Sequence, residues 1–145
     1  MLQGVPAILP PELLKILCEM GHTDELTIGD ANFPGHTYGK TIIRMDGHGV
    51  PEILDAILKV SPLDTYVEHP VTLMAVVKGD DVKTPIWDEY KKIVKKHDTR
   101  GDACFEEIDK WEFYEKAKRS SVVIMSGERA IYANVILKKG VIKED

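Results

Sequence analysis

The sequence predicts an α/β domain in which helices cover both faces of a sheet. Stretches with apolar residues at helical spacing alternate with short, continuously apolar stretches, and this alternation is typical of helices connecting the strands of a sheet. Segments rich in Gly and Pro separate the stretches, as loops do. Neither an internal repeat nor a linker is visible in the 145 residues, so we expect one domain over residues 1–145.

The first part of the chain predicts two helices and two strands. Residues 11–20 (PELLKILCEM) combine a proline in the first turn with an apolar stripe, and a glycine follows, which predicts the first helix. The apolar stretches at 26–30 and 41–46 predict strands, and the Gly-, Pro- and polar-rich residues 31–39 between them predict a loop. Residues 51–60 begin with proline and carry apolar residues at helical spacing, which predicts the second helix.

The second part predicts two more helices and three strands. The apolar residues 71–77 predict a buried strand. Residues 87–97 carry aromatic and aliphatic side chains on one helical face and lysines on the other, which predicts an amphipathic helix whose lysines face solvent. A fourth helix is predicted over 109–119, and strands over 121–125 and 132–139 complete the pattern.

The composition argues against a nucleic-acid-binding protein and against a membrane protein. The formal net charge of −5 argues against a nucleic-acid or anionic-membrane partner, since both attract an excess of lysine and arginine. No apolar stretch approaches the ~20 residues that cross a bilayer, and the N-terminus lacks the pattern of a signal peptide. We therefore expect a cytoplasmic protein.

The two cysteines, Cys18 and Cys104, are far apart and lack CxxC spacing. Cys18 falls on the predicted apolar side of the first helix. We therefore expect a buried, reduced thiol there rather than a disulfide.

The first candidates for chemistry are His22 and Asp30. His22 follows the first helix, and Asp30 lies eight positions later, just past a predicted strand. We expect a turn and a short strand to bring both side chains to one edge of the sheet, and ligands of open α/β sheets bind where loops leave the carboxyl ends of strands. An imidazole and a carboxylate facing one cavity form an acid/base pair near neutral pH. Taken alone, His22 and Asp30 are explained equally well as ordinary surface or helix-cap residues.

Two further pairs supply hydrogen-bonding groups. Tyr132 and Asn134 are two positions apart on the last predicted strand and therefore share a face. Lys110 and Tyr114 are four positions apart on the last predicted helix and are therefore neighbours. The phenol of Tyr132 beside the amide of Asn134 can donate hydrogen bonds to sugar hydroxyls and accept hydrogen bonds from them. The alternatives are that Tyr132 and Asn134 lie on an exposed strand face and that Lys110 and Tyr114 lie on an exposed helix face.

The sequence offers no motif for a cofactor. It contains no GxGxxG, P-loop or GxSxG, and its five histidines show no short metal-ligand spacing. A metal site built from His22, Asp24 and His36 is conceivable, but their spacing does not favour it. We therefore expect a small acid/base pocket with no cofactor and no metal.

The chain resembles a known family from about residue 5 to residue 141, and six segments carry the resemblance. The segments are GHTDE, DANFP, IIRMDG, LDTYVE, FYEKAK and SGERAIYANVILKKGV. Together they resemble L-fucose mutarotase, the FucU branch of the FucU/RbsD sugar mutarotases. The related ribose pyranases share GHTD and the terminal YxN, whereas FPxH, FYE and GERAxYxN favour the fucose branch.

The resemblance implies an RbsD-like, three-layer α/β/α sandwich that interconverts the α and β anomers of L-fucopyranose by ring opening and closure without a cofactor. It implies that His22 is the catalytic proton donor. The substrate-binding residues that it implies are Asp30, Lys110, Tyr114, Tyr132, Ala133 and Asn134. Lys110 stands where the family usually has arginine or histidine, and Asn32 replaces a histidine common in relatives.

The resemblance also implies a homo-oligomer, often a decameric ring, in which a neighbouring subunit completes each site. Other functions stay open at this point. D-Ribose pyranase performs the same chemistry on another sugar, a non-catalytic fucose-binding protein would bind without accelerating anomer exchange, and a metal-dependent sugar isomerase would lose activity with a chelator.

Overall fold

The computed structural model describes residues 1–144 and contains a six-stranded sheet with five α-helices packed against it. The predicted domain ends at residue 145, which lies outside the described residues. The helices are α1 (Pro11–Glu19), α2 (Gly35–Tyr38), α3 (Val50–Val60), α4 (Pro85–His97) and α5 (Lys110–Lys118). The strands are β1 (Glu25–Gly29), β2 (Ile42–Met45), β3 (Val71–Met74), β4 (Phe105–Ile108), β5 (Val122–Ser126) and β6 (Val135–Lys138).

The strand order is β2-β5-β1-β6-β3-β4. β5 pairs in parallel with β1 and β2, β3 pairs in parallel with β4, and β6 is antiparallel to both β1 and β3. Strands β1 to β5 therefore all end at one side of the sheet, here called the carboxyl edge, and β6 begins there. The opposite side, where β1 to β5 begin, is called the amino edge.

Apolar side chains form one core on each face of the sheet. On one face α1, α3 and α4 contribute fully buried residues such as Leu13, Ile53 and Tyr90. On the other face α2 and α5 pack with Phe33 and Phe113 against the sheet. Burying a side chain of this size stabilises the fold by about 1.5–3 kcal/mol. The predicted three-layer α/β/α sandwich is confirmed.

Most predicted elements are confirmed within a few residues, but two short ones were missed. The predicted loop 31–39 contains the one-turn helix α2, which is too short to show a helical period. Strand β4 was not predicted because FEEI has two glutamates among its four residues and lies at the end of the sheet. An edge strand needs no continuous apolar run, because one of its sides has no neighbouring strand.

The expectation that Cys18 is buried was wrong. Cys18 is exposed, whereas Cys104 is buried, and both thiols are free in the described part of the chain. The core stripe of α1 consists of Leu13 and Leu17, which are one helical turn apart. Cys18 comes one residue after Leu17 and is therefore rotated by about 100° away from the core.

Candidate functional site

A cleft of about 290 Å³ opens at the carboxyl edge of the sheet. We call it the carboxyl-edge cleft, and five residues predicted from the sequence to bind substrate line it: Asp30, Lys110, Tyr114, Tyr132 and Asn134. The sixth, Ala133, is fully buried between two of them in the chain. They meet because Asp30 follows β1, Asn134 precedes the antiparallel β6, and α5 follows β4. A larger groove of about 440 Å³ beside α1 contains none of the six residues.

Asp30 is a buried carboxylate that is fixed by main-chain contacts. Only 4% of the residue is exposed. Its Oδ1 accepts from the N–H of Asn32 at 2.9 Å, and its own N–H donates to Oδ1 of Asn134 at 2.8 Å. Burial raises the pKa of the Asp30 carboxyl, against the effect of nearby backbone N–H groups. The carboxylate is therefore held in a fixed position in the lining of the cleft.

The prediction that Tyr132 and Asn134 lie on a strand was wrong. β6 begins only at Val135, and Tyr132 has a left-handed backbone with φ of 57°. Such a conformation is uncommon outside glycine and needs support from the surroundings. The indole N–H of Trp87 donates to the carbonyl of Tyr132 at 2.7 Å and so supplies part of that support.

Tyr90 holds the next peptide of the same segment. Its hydroxyl donates to the carbonyl of Ala133 at 2.7 Å. Burial raises the pKa of the Tyr90 phenol, so the group remains a donor. Trp87 and Tyr90 were predicted to be packing residues of α4. Their additional polar contacts were missed because no local spacing connects them to residues 132 and 133.

Lys110 and Tyr114 form the α5 side of the carboxyl-edge cleft. Asp109 caps the helix by accepting from the N–H of Trp111 at 2.9 Å. The Tyr114 ring stacks on Tyr38 with centroids 4.6 Å apart, and the ammonium of Lys110 lies 5.8 Å from the centroid of Tyr114. Burial raises the pKa of the Tyr114 phenol. This side therefore offers an aromatic surface, a cation and a neutral hydroxyl.

The expectation that His22 and Asp30 share one edge within the chain was wrong. His22 precedes β1 at the amino edge, and Asp30 follows the same strand at the carboxyl edge. An extended strand of five residues separates its first and last Cα atoms by about 13 Å. Only a reversal of the chain between them could have brought the two side chains together.

His22 instead pairs with Asp64, in the segment before β3. His22 Nε2 lies 2.9 Å from Oδ1 of Asp64, and the ring centroids of His22 and Tyr66 are 5.1 Å apart. The side chain of Asp64 is fully buried, whereas 38% of the His22 side chain is exposed. We call His22 and Asp64 the amino-edge dyad. A carboxylate in this position fixes the tautomer and orientation of an imidazole.

Asp64 is held in its ionised form by hydrogen bonds. Burial alone would raise its pKa, but the N–H of Tyr66, which donates to Oδ1 at 2.9 Å, and the neighbouring His22 hold the pKa below its ordinary value. Oδ2 has no hydrogen-bond partner among residues 1–144. Sequence reasoning missed this role, although Asp64 lies in the LDTYVE segment that contributed to the family resemblance.

Arg100 fixes the loop that carries Asp64. Its guanidinium donates to the carbonyls of Asp64 and Val67, each at 3.0 Å. The same group donates to both carboxylate oxygens of Asp98, at 3.0 and 2.8 Å. The guanidinium holds the pKa of the Asp98 carboxyl below its ordinary range. A paired arginine thus sets the position of the loop and, through Asp64, of His22.

A sequence profile of the RbsD / FucU transport protein family matches residues 3–142. The chain belongs to this RbsD/FucU family. Within the family it is 45% identical over 147 aligned residues to the fucose mutarotase of Homo sapiens, an alignment that covers 97% of this chain and 94% of the human one.

Two solved structures show the same fold as this RbsD/FucU protein. FucU from Bifidobacterium longum is 57% identical with a TM-score of 0.96, and the match covers 97% of this chain and all of the other. The fucose mutarotase of Streptococcus pneumoniae, solved in complex with L-fucose, is 41% identical with a TM-score of 0.92 over 98% of this chain and all of the other.

Within residues 1–144 of this RbsD/FucU protein, no helix is long and apolar enough to cross a membrane. The same residues contain no group of three His, Cys, Asp or Glu side chains that could hold a metal ion. The conceivable set of His22, Asp24 and His36 is therefore not assembled.

Proposed function

We propose that this protein is an L-fucose mutarotase that interconverts α- and β-L-fucopyranose by general acid/base ring opening and closure. The observation that carries the proposal is the carboxyl-edge cleft, where carboxylate, ammonium, phenol and amide groups converge beside apolar side chains. Such a lining suits a sugar, which presents hydroxyls on its rim and C–H groups on its faces. The likeness to the Streptococcus pneumoniae fucose mutarotase supports the same substrate.

The chemistry needs two proton transfers. A proton must reach the ring oxygen, and another must leave the anomeric hydroxyl, before closure on the other face of the aldehyde gives the second anomer. His22 is the proton donor, and Asp64 orients it and stabilises the imidazolium. Asp30, Lys110 and Asn134 hold hydroxyls, and Tyr132 is the second proton carrier.

The apolar part of the cleft favours fucose over ribose. Phe33, Met74 and Ile131 line it, and L-fucose carries a C6 methyl group that D-ribose lacks. A contact of methyl size is worth about 10- to 200-fold in discrimination. D-Ribose remains the alternative substrate, and a measured ratio of rates decides between the two sugars.

The complete site lies between two copies of the chain. The carboxyl-edge cleft and the amino-edge dyad occupy opposite edges of one sheet, so His22 acts on a sugar bound by a neighbouring subunit. Large exposed side chains accompany both parts: Tyr66 beside the dyad is 66% exposed, and Ile131 at the cleft is 47% exposed. In the proposed assembly the neighbouring subunit covers these two side chains. A decameric ring and a cytoplasmic location complete the proposal, and analytical ultracentrifugation tests the assembly.

Proton NMR exchange between the anomeric signals of L-fucose tests the function, with D-ribose measured in parallel. We expect saturation transfer at catalytic protein concentration, and the variant His22→Ala should lose about 10²-fold or more of the rate because general acid catalysis is removed. Unchanged exchange in His22→Ala would contradict the assignment. Fucose binding without faster exchange in the wild-type protein would favour the non-catalytic sugar-binding alternative.

Subunit mixing tests the shared site. The variants His22→Ala and Asp30→Asn are each expected to be inactive alone. When they are co-expressed in equal amounts, about one quarter of the head-to-tail contacts join an intact dyad to an intact cleft, and activity returns to that extent. If each site were built within one chain, mixing would restore nothing.

A further inference from the structure

The hydroxyl of Tyr132 is held by one tight turn between β3 and α4. It donates to Oδ2 of Asp80 at 2.7 Å and accepts from the N–H of Val77 at 3.3 Å. The turn is closed by the N–H of Asp80, which donates to the carbonyl of Val77 at 3.0 Å, and Gly79 within it has φ of +92°. A glycine with positive φ at this position is the pattern of a type II turn. The same turn therefore places both partners of the phenol.

A count of hydrogen-bonding capacity shows what the hydroxyl can still do. A phenol has one proton and two acceptor lone pairs. The proton is committed to Asp80 and one lone pair to Val77, so one lone pair of Tyr132 is left for a substrate. Tyr132 and Asp80 both line the carboxyl-edge cleft, which is where that substrate would lie.

We propose that Asp80 is a positioning residue that accepts the phenol proton of Tyr132 while Tyr132 accepts the proton of the anomeric hydroxyl. The proposal rests on the mutarotase function proposed above. As the O1–H bond breaks, its proton moves to Tyr132 Oη, and the original Oη proton moves to Oδ2 of Asp80. The electrons of the O1–H bond form the C1=O bond, the C1–O5 pair goes to O5, and O5 takes a proton from His22. Ring closure reverses every transfer.

The relay explains how a phenol can serve as a base near neutral pH. A tyrosine has an ordinary pKa near 10, and its hydrogen bond to Asp80 raises the pKa of Tyr132 further. A phenolate is therefore a poor intermediate here. When the two protons move together, Tyr132 stays neutral throughout, and the charge change falls on the Asp80 carboxylate.

A second contact, from α4, fixes the main chain of Tyr132. The indole N–H of Trp87 binds the carbonyl of Tyr132, whose backbone is left-handed. Tyr132 is thus fixed at its main chain by α4 and at its hydroxyl by the turn at residues 77–80. This two-point attachment fixes the position of the Tyr132 side chain in the lining of the cleft.

The variant Asp80→Asn tests the proposal because it keeps the size of the side chain and removes the proton acceptor. We expect kcat for L-fucose exchange to fall by about 10- to 100-fold, within the range of general acid/base effects, with little change in KM. The matched control is Asp81→Asn, which removes the same charge from the next, exposed residue and should change kcat by no more than about twofold. Asp80→Glu, which retains a carboxylate, should recover part of the rate.

A double-mutant cycle separates a relay from an independent contribution. If Asp80 acts through Tyr132, the variant Tyr132→Phe and the double variant Tyr132→Phe/Asp80→Asn have the same kcat. A wild-type kcat in Asp80→Asn, or a double variant slower than Tyr132→Phe by the full single-variant factor, would overturn the relay while leaving mutarotase activity in place. A wild-type protein that does not accelerate exchange would overturn the proposed function, and the relay with it.

Discussion

The variant Asp64→Asn isolates the electrostatic contribution of the amino-edge dyad. Asp64 is fully buried, and its Oδ1 lies 2.9 Å from both His22 Nε2 and the main-chain nitrogen of Tyr66. Asparagine has the same shape and keeps a carbonyl oxygen that can accept both bonds. The substitution therefore removes the negative charge beside the imidazole and leaves the packing in place.

The expected magnitude follows from the type of hydrogen bond. A hydrogen bond to a charged group contributes about 1.5–3 kcal/mol, and a neutral one about 0.5–1.5 kcal/mol. The difference of about 1–2 kcal/mol applies when His22 carries its proton, and it lowers kcat by about 5- to 30-fold. Binding of L-fucose should change little, because the carboxyl-edge cleft is untouched.

Saturation-transfer NMR of the L-fucose anomers measures the rate, and circular dichroism checks the fold. The chain offers a matched control in Asp55→Asn, because Asp55 pairs with His97 Nε2 at 2.7 Å between α3 and α4. That variant should retain kcat within about twofold. An Asp64→Asn rate equal to wild type, or an equal loss in both variants, would refute the proposed role of the dyad.

Two predictions concern stability. A Cβ added in Gly127→Ala would collide with the carbonyl oxygen of Asp46, so the free energy of unfolding in urea should fall by about 1–3 kcal/mol. The control is Gly47→Ala, where nothing lies within 4 Å of an added Cβ, and its free energy of unfolding should stay near that of the wild type. The hydrogen bonds from Arg100 hold the pKa of Asp98 below its ordinary value. Asp98 therefore stabilises the fold fully above the unfolded-state pKa of about 3.9, and this contribution disappears as the pH falls through the lower folded-state pKa. Acid unfolding followed by circular dichroism should show a smaller loss for Asp98→Asn, and an identical acid profile would contradict this reasoning.

The sequence by itself determined the layers of the protein, and its resemblance to the family singled out the residues that line the cleft. Helical and strand periodicity depend only on neighbouring residues, which is why α1, α3, α4 and α5 were predicted within a few positions. The cleft residues Lys110 and Tyr114 lie four positions apart on one helix, and Asp30 follows directly after a strand. That these positions meet at one edge depends on β4, which precedes α5, was missed in the sequence and runs parallel to β3.

Tertiary structure alone decided which polar groups pair. His22 meets Asp64 across 42 positions, and Tyr132 meets Asp80 across 52. The partners depend on the strand order and on the turns between elements, and hydrophobic periodicity carries no information about either. The same reason explains why His22 and Asp30 were wrongly expected to share an edge: their closeness in sequence spans a fully extended strand, which places its two ends far apart.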